Sequence, residues 1–343
     1  GIFLRYPFSQ YLYLSLATFI FVGFLTPIMR KLALRVGAVD KPNIARKVQS
    51  EPVPYLGGVA IVIGVFVATY TTVFVQDKNI GLASTVLIPA VIMAIMGLLD
   101  DLRGLPPWPR LITQTIVGIA VAAILIATDT IGTPAHIFIV DAIITTIWIV
   151  GVCNSINFFD NLDGGAAGTV VVISAFTFLI AYNRGQLMIS ALSIVTAGAT
   201  AGFLIWNRPP ARIYMGDAGA LFLGIIIAVL TIRLQPDIYP MWKSLSIPLL
   251  LMAVPLLDTT VAVTSRLARG ISPFTGGRDH LSHRLMRKGI ERRSAAISLW
   301  ALAGVYGTTA YAIYKNQSGS LILLAAITWI SLYIFFMRIP ASD

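Results

Sequence analysis

Apolar stretches of 18 or more residues recur from end to end of this 343-residue chain, and that pattern alone removes most folds. About 20 apolar residues carry a helix across a hydrocarbon core, where backbone groups must be satisfied within the segment. We read about eleven spans, at roughly 9–29, 56–75, 83–99, 111–128, 136–153, 167–182, 187–206, 218–233, 245–265, 296–314 and 320–337. The expected fold class is all-α, a polytopic integral membrane protein. The connections are mostly short, so residues 1–343 are expected to form a single transmembrane domain with two longer loops, 30–55 and 266–295. The first span is too long for the h-region of a signal peptide, so no cleavable signal is expected. The single cysteine, Cys153, excludes an intrachain disulfide and a thiolate metal cluster.

The net charge of +10 suggests nucleic acid at first sight, but its distribution argues for a membrane face. With the N-terminus outside and the spans alternating, six of the 25 Lys and Arg fall outside: Arg5, Lys78, Arg184, Arg233, Lys243 and Lys315. The remaining 19 face inward, which is the positive-inside bias. The basic surplus therefore belongs to a cytoplasmic face and to anionic ligands there, and no nucleic acid is expected.

Against this background five acids stand out: Asp100 and Asp101, Asp160 and Asp163, and Asp217. Each group lies where an apolar run meets a short polar loop, on the inside by the same topology. A charge in a bilayer costs about 2.5–3.5 kcal/mol even on a lenient scale, so acids that recur at helix ends read as a site. Their shared task would be to hold a hard cation against phosphate. Asp100 and Asp101 cannot both point the same way on a helix, so they would serve different partners. A helix C-terminus disfavours anions, which weakens the bland reading of a solvated end. Asn157, Asp160 and Asp163 follow at i, i+3, i+6, one stripe on a continuing helix that Gly164 and Gly165 would end. Their oxygens suit Mg²⁺, with Mn²⁺ also admitted; the bland reading is a capped turn. Asp217 in GDAG is an N-cap on the bland reading. On the functional one it ligates a metal while the helix N-terminus gathers phosphate oxygens. Asn207, Arg208 and Tyr214 upstream add an amide, a cation and an aromatic face for a nucleobase and its phosphates.

The two longer loops supply cations. Loop 30–55 carries Arg46 and Lys47 ahead of PVPYLGG, and loop 266–295 carries His280, His283, Arg284 and Arg287. That last set is spaced i, i+3, i+4, i+7 and shares one face if helical; the bland alternative is a basic helix on lipid headgroups. His136 and Asp258 are read as structural, Asp258 as a buried helix contact rather than a proton path.

Taken in order, VDKPNIARK, PVPYLGG, GLLDDLRGLP, NSINFFDNLDGGAAG, WNRPPARIYMGDAG and DHLSHRL resemble the polyprenyl-phosphate N-acetylhexosamine-1-phosphate transferase family, glycosyltransferase family 4. The arginine-rich loop with SHRL, in place of three consecutive His, is closer to the UDP-GlcNAc:undecaprenyl-phosphate branch than to the phospho-MurNAc-pentapeptide branch. Gln49 and Ser282 stand where family members often have His. The resemblance implies that a polyprenyl phosphate attacks a UDP-N-acetylhexosamine and UMP leaves. It implies Asp160 and Asp217 as Mg²⁺ ligands, with Asp163 and Asn157 in support. Asp100, with Asp101 beside it, would orient or deprotonate the lipid phosphate, or act covalently; His283 would join them in catalysis. Tyr214 and Asn207 would hold uracil, while Arg46, Lys47, His280, His283 and Arg284 would clamp phosphates or sugar. The implied location is a bacterial-type plasma membrane, with the active site cytoplasmic. A homodimer through lipid-facing spans is left open. A cation-coupled transporter is the alternative from another class, but its coupling acids belong near the midplane and its repeats are commonly visible; neither holds here.

Overall fold

The computed structural model describes residues 6–40, 53–76 and 80–342; Arg46, Lys47 and Gln49 lie outside the described residues. The helices are α1 (Phe8–Val36), α2 (Gly57–Gln76), α3 (Ile80–Arg103), α4 (Pro107–Ala127), α5 (Phe138–Phe159), α6 (Gly165–Arg184) and α7 (Leu187–Asn207). They continue with α8 (Gly216–Arg233), α9 (Met241–Leu251), α10 (Ala253–Ala268), α11 (Leu281–Arg287), α12 (Arg292–Asn316) and α13 (Gly319–Met337). The strands described are β1 (Val39–Asp40) and β2 (Val53–Pro54), an antiparallel pair.

The fold is the expected polytopic all-α one, with a difference in detail. Among the described residues nine helices are long and apolar enough to cross a membrane, and the bent pair α9 and α10 makes ten. The remaining expected span, 56–75, corresponds to the shorter apolar stretch Gly57–Val73 of α2. The span expected to run straight through 245–265 is broken by 78° between α9 and α10. Pro255 explains the break. It has no N–H for the carbonyl of Leu251 and its ring crowds that carbonyl, so the helix restarts with proline in its first turn.

The centre of the bundle is α8, buried at every position from Ala218 to Arg233. It packs against α2, α3 and α5. Small residues allow that approach, as usual between membrane helices. A Cβ on Gly58 would come within 2.3 Å of the Gly219 amide, so α2 and α8 cross backbone to backbone. At the periphery α1 and α13 are the least buried of these helices, with 17% and 11% of their apolar windows covered by the rest of the protein. Because the spans alternate, the C-terminal ends of α3, α5, α7 and α10 meet the N-terminal ends of α8 and α12 at one face.

Candidate functional site

At that face lies a cavity of about 610 Å³. Its wall includes Asp101, Asp160, Asp163 and Asp217, together with Asn207, Tyr214 and His283. Asp101 and Asp217, 116 residues apart in sequence, thus share one space. Asp40, Tyr55, Asn161, Arg278 and Arg292 also line it and were not among the expected site residues. Asp40 sits inside the quoted VDKPN string and Arg292 inside the 266–295 loop, so a charge census of those segments would have found both. Their direction into the cavity had no local signal.

Asp101 is more structural than expected. Its Oδ1 accepts the Asp217 N–H at 2.9 Å and its Oδ2 the Ala218 N–H at 3.3 Å. The cap of α8 therefore comes from α3, supplying the orphan amides that a helix start leaves. Asp217 is a first-turn residue of α8, not its N-cap, and the cap position, Met215, bonds through no side chain. This also corrects the expectation that α8's N-terminus offers its leading amides to phosphate, because Asp101 already occupies two of them. Gly216 makes the fit, with φ of +70° and a Cβ position only 2.6 Å from Asp101 Oδ2. Asp100 points elsewhere, toward Arg110 at 4.0 Å and the Asp217 carboxyl. Both neighbours therefore engage Asp217, Asp101 through its backbone N–H and Asp100 through its carboxyl.

The expected Asn157–Asp160–Asp163 stripe does not form, since α5 stops at Phe159 and Asp160 leaves helical geometry with ψ of 69°. Asn157, still on the helix, donates to Asp217 Oδ1 at 3.0 Å. Asp163 Oδ2 accepts the Ala211 N–H at 3.0 Å and lies 3.2 Å from Arg292 Nη1. Gly164, expected to end that helix, instead precedes α6, and its N–H goes to Asn207 Oδ1 at 3.0 Å. Asn207 returns its own amide to Ile213 O at 2.9 Å, so this buried side chain is a strut between loops. The PVPYLGG turn docks on the same loop, with Tyr214 N–H on Pro54 O at 2.7 Å and Gly57 N–H on Tyr214 O at 3.1 Å.

Burial, reinforced by the Asp101 and Asp163 charges, pushes the Asp160 carboxyl up to about 7. Burial and the Asp163 and Asp40 carboxylates push the Tyr214 phenol up to about 12. Burial, then His280 and Arg278, bring His283 down to about 4. His283 is therefore neutral near pH 7. Its Nδ1 is buried with no partner among the described residues.

His280 and Arg284, expected as clamps, are not in the cavity wall. The helix expected to align His280, His283, Arg284 and Arg287 begins only at Leu281, with His280 at its cap. His280 Nδ1 lies 2.8 Å from Asp258 Oδ2, which makes Asp258 the buried helix contact expected of it. Arg284 is 1% exposed. It donates to the carbonyls of Asp279 at 2.7 Å, Phe336 at 3.1 Å and Ile339 at 2.8 Å.

Among the described residues no group of three or more His, Cys, Asp or Glu converges as a metal cage. Mg²⁺ commonly needs only one or two carboxylates, the rest of its shell being water and substrate phosphate. Asp160 and Asp217 fit that requirement: both are hard oxygen donors in the cavity wall, and the crowded Asp160 gains from a cation. Asn157 spends its amide on Asp217, and Asp163 is engaged by Ala211 and Arg292.

Fold and site together define a multi-pass membrane protein with an acidic, ligand-sized cavity rimmed by Arg at one end of its bundle. The model of glycosyl transferase family 4 matches residues 83–235, from α3 to just past α8. A probable undecaprenyl-phosphate N-acetylglucosaminyl 1-phosphate transferase of Bacillus subtilis is 30% identical over 328 residues, 92% of this chain and 85% of its own length. A decaprenyl-phosphate N-acetylglucosaminephosphotransferase of Mycolicibacterium smegmatis is 29% identical over 94% of this chain and 87% of its own. A phospho-N-acetylmuramoyl-pentapeptide-transferase of Streptococcus mutans is 30% identical over 54% of this chain and 60% of its own. The chain belongs to glycosyl transferase family 4.

Proposed function

We propose that this protein transfers N-acetylglucosamine-1-phosphate from UDP-N-acetylglucosamine to undecaprenyl phosphate, making the first lipid-linked sugar of a cell-envelope polymer. The observation that carries the reading is a contrast in coverage. Likeness to N-acetylglucosamine-1-phosphate transferases extends over nine-tenths of the chain, whereas likeness to the muramoyl-pentapeptide enzymes stops at about half. A lipid phosphate oxygen bonds to the β-phosphorus of the donor. The bond from that phosphorus to the oxygen bridging the two phosphates breaks, and UMP leaves with the bridging oxygen.

Such a transfer depends on in-line positioning and charge neutralisation. Mg²⁺ bound by Asp160 and Asp217 would neutralise the diphosphate. Asn157 orients Asp217, and Asp101 fixes the start of α8. Asp100, beside Arg110, meets the acceptor phosphate. A phosphate monoester is already largely ionised at pH 7, so Asp100 contributes mainly by position. Neutral His283 offers a hydrogen bond, Tyr214 a face for uracil, and Arg278 and Arg292 a cationic rim. The cavity would open to the cytoplasm of a bacterial-type plasma membrane.

The test is UMP release by purified protein given UDP-N-acetylglucosamine and undecaprenyl phosphate, with Mg²⁺ or with EDTA. Release that needs lipid and metal together, and is abolished by Asp217→Asn in a folded protein, is the expected result. Release only with a muramoyl-pentapeptide donor would move the chain to the sister branch. Solute accumulation without any release would favour a transporter.

A further inference from the structure

The segment after α10 re-enters the cavity through α11, which has only seven residues. An isolated helix of that length is not stable in water, yet this one carries His283 into the cavity wall. What anchors it is Asp258, fully buried on α10. Asp258 Oδ1 accepts the Leu281 N–H at 2.9 Å, and its Oδ2 lies 2.8 Å from His280 Nδ1. The other ring nitrogen of His280, Nε2, is 3.3 Å from Arg266 Nη2. A guanidinium only donates, so Nε2 accepts and the ring proton sits on Nδ1, facing Asp258. Arg266 is itself fixed by Asp279 at 2.8 and 3.0 Å.

The same carboxylate reaches the acidic wall. Asn161, next to Asp160, has Nδ2 3.5 Å from Asp258 Oδ2, and its Oδ1 accepts the Ser282 hydroxyl at 2.5 Å. One buried acid thus joins the end of α5 to the start of α11.

We propose that Asp258 is a positioning residue: through the Leu281 amide and His280 Nδ1–H it holds α11 so that His283 faces the acidic wall. His280 acts inward through Nδ1 and does not touch substrate. A buried acid inside a membrane protein is costly, and this coupling accounts for its presence. The activity arm of the test rests on the transferase reading above; the exchange arm does not.

The experiment pairs amide hydrogen exchange over residues 277–287 with UMP release, in detergent, for Asp258→Asn, His280→Asn and His280→Gln. An asparagine amide sits near Nδ1 of the histidine it replaces, and a glutamine amide near Nε2. Asp258→Asn should raise exchange in α11 while leaving α8 protected, and should cut release about 10- to 100-fold, as loss of an orienting partner does behind metal-bound histidines. His280→Asn should keep most of the activity and protection, and His280→Gln should resemble Asp258→Asn. Unchanged exchange in α11 of Asp258→Asn would overturn the proposal. So would a pattern in which His280→Gln works and His280→Asn does not, because the contact that matters would then be the one Nε2 makes and not the one from Nδ1 to Asp258. If the wild type releases no UMP, the exchange arm still decides, and only the transferase reading fails.

Discussion

At the scale of single residues the cavity is crowded negative charge in which each acid has a separate occupation. Asp101 is spent on backbone amides of α8, Asp163 on Ala211 and Arg292, and Asp217 is held by Asn157. That leaves Asp160, raised toward neutrality by burial and its acidic neighbours. His283 answers differently, staying uncharged because burial and neighbouring cations oppose its proton. The consequence for acid stability has a definite sign. The unfolded chain takes up this proton near the ordinary histidine value of about 6.5, but the folded protein does so only near 4. The folded state therefore loses stability as the pH falls through 6.5 toward 4, and is unaffected by this group above 7. Replacing His283 with Gln removes the group, so the drop in Tm between pH 7.5 and pH 5 should be smaller than in the wild type. An equal drop would mean that His283 titrates normally.

At the scale of elements, the cavity end of the bundle is assembled from pieces that cannot stand alone. Helix α11 is too short, and α13 buries little of its length. Arg284 joins them, with Nη1 on the carbonyls of Phe336 and Ile339 at the end of the last span. The i, i+4 spacing from His280 to Arg284 resembles a phosphate clamp, because sequence spacing cannot tell a cavity from the end of a neighbouring helix. Arg284→Met should leave the Ile339 carbonyl without its donor, at about 1–3 kcal/mol if it stays buried, while Phe336 O keeps the Ile339 N–H at 3.1 Å. Lower Tm and faster exchange over residues 336–340 are the expected readouts. A rise in KM for the UDP-sugar with Tm unchanged would restore Arg284 to the substrate. The break between α9 and α10 belongs here too. Pro255 is visible in the sequence, but whether a membrane proline kinks or breaks its helix depends on neighbours that take over the freed carbonyls.

At the scale of the whole molecule, the two ends of the bundle differ in charge. The cavity, the arginine-rich segment and the start of α12 share one end of the bundle, and Lys243, Lys315 and Gln317 lie at the other, where Lys243 Nζ reaches Gln317 O at 3.3 Å. With the basic end cytoplasmic, a cysteine at Lys288 should react with impermeant maleimide only in inside-out vesicles, and one at Gln317 only in intact cells. Cys153 is buried and gives no background. The reverse pattern would turn the protein over and separate its cavity from a cytoplasmic donor. Span length and charge bias are properties of contiguous residues, so the sequence by itself determined an all-α membrane protein, its expected orientation and the gathering of Asp100, Asp101, Asp160, Asp163 and Asp217 at helix ends. Which of those acids would cap a helix, which would brace a loop and which would face open space was decided only by tertiary structure. Asp101 meets its amides across 116 residues and Asn161 meets Asp258 across 97. Contacts at that separation depend on how closely helices pack around α8, and no local pattern of side chains encodes that distance.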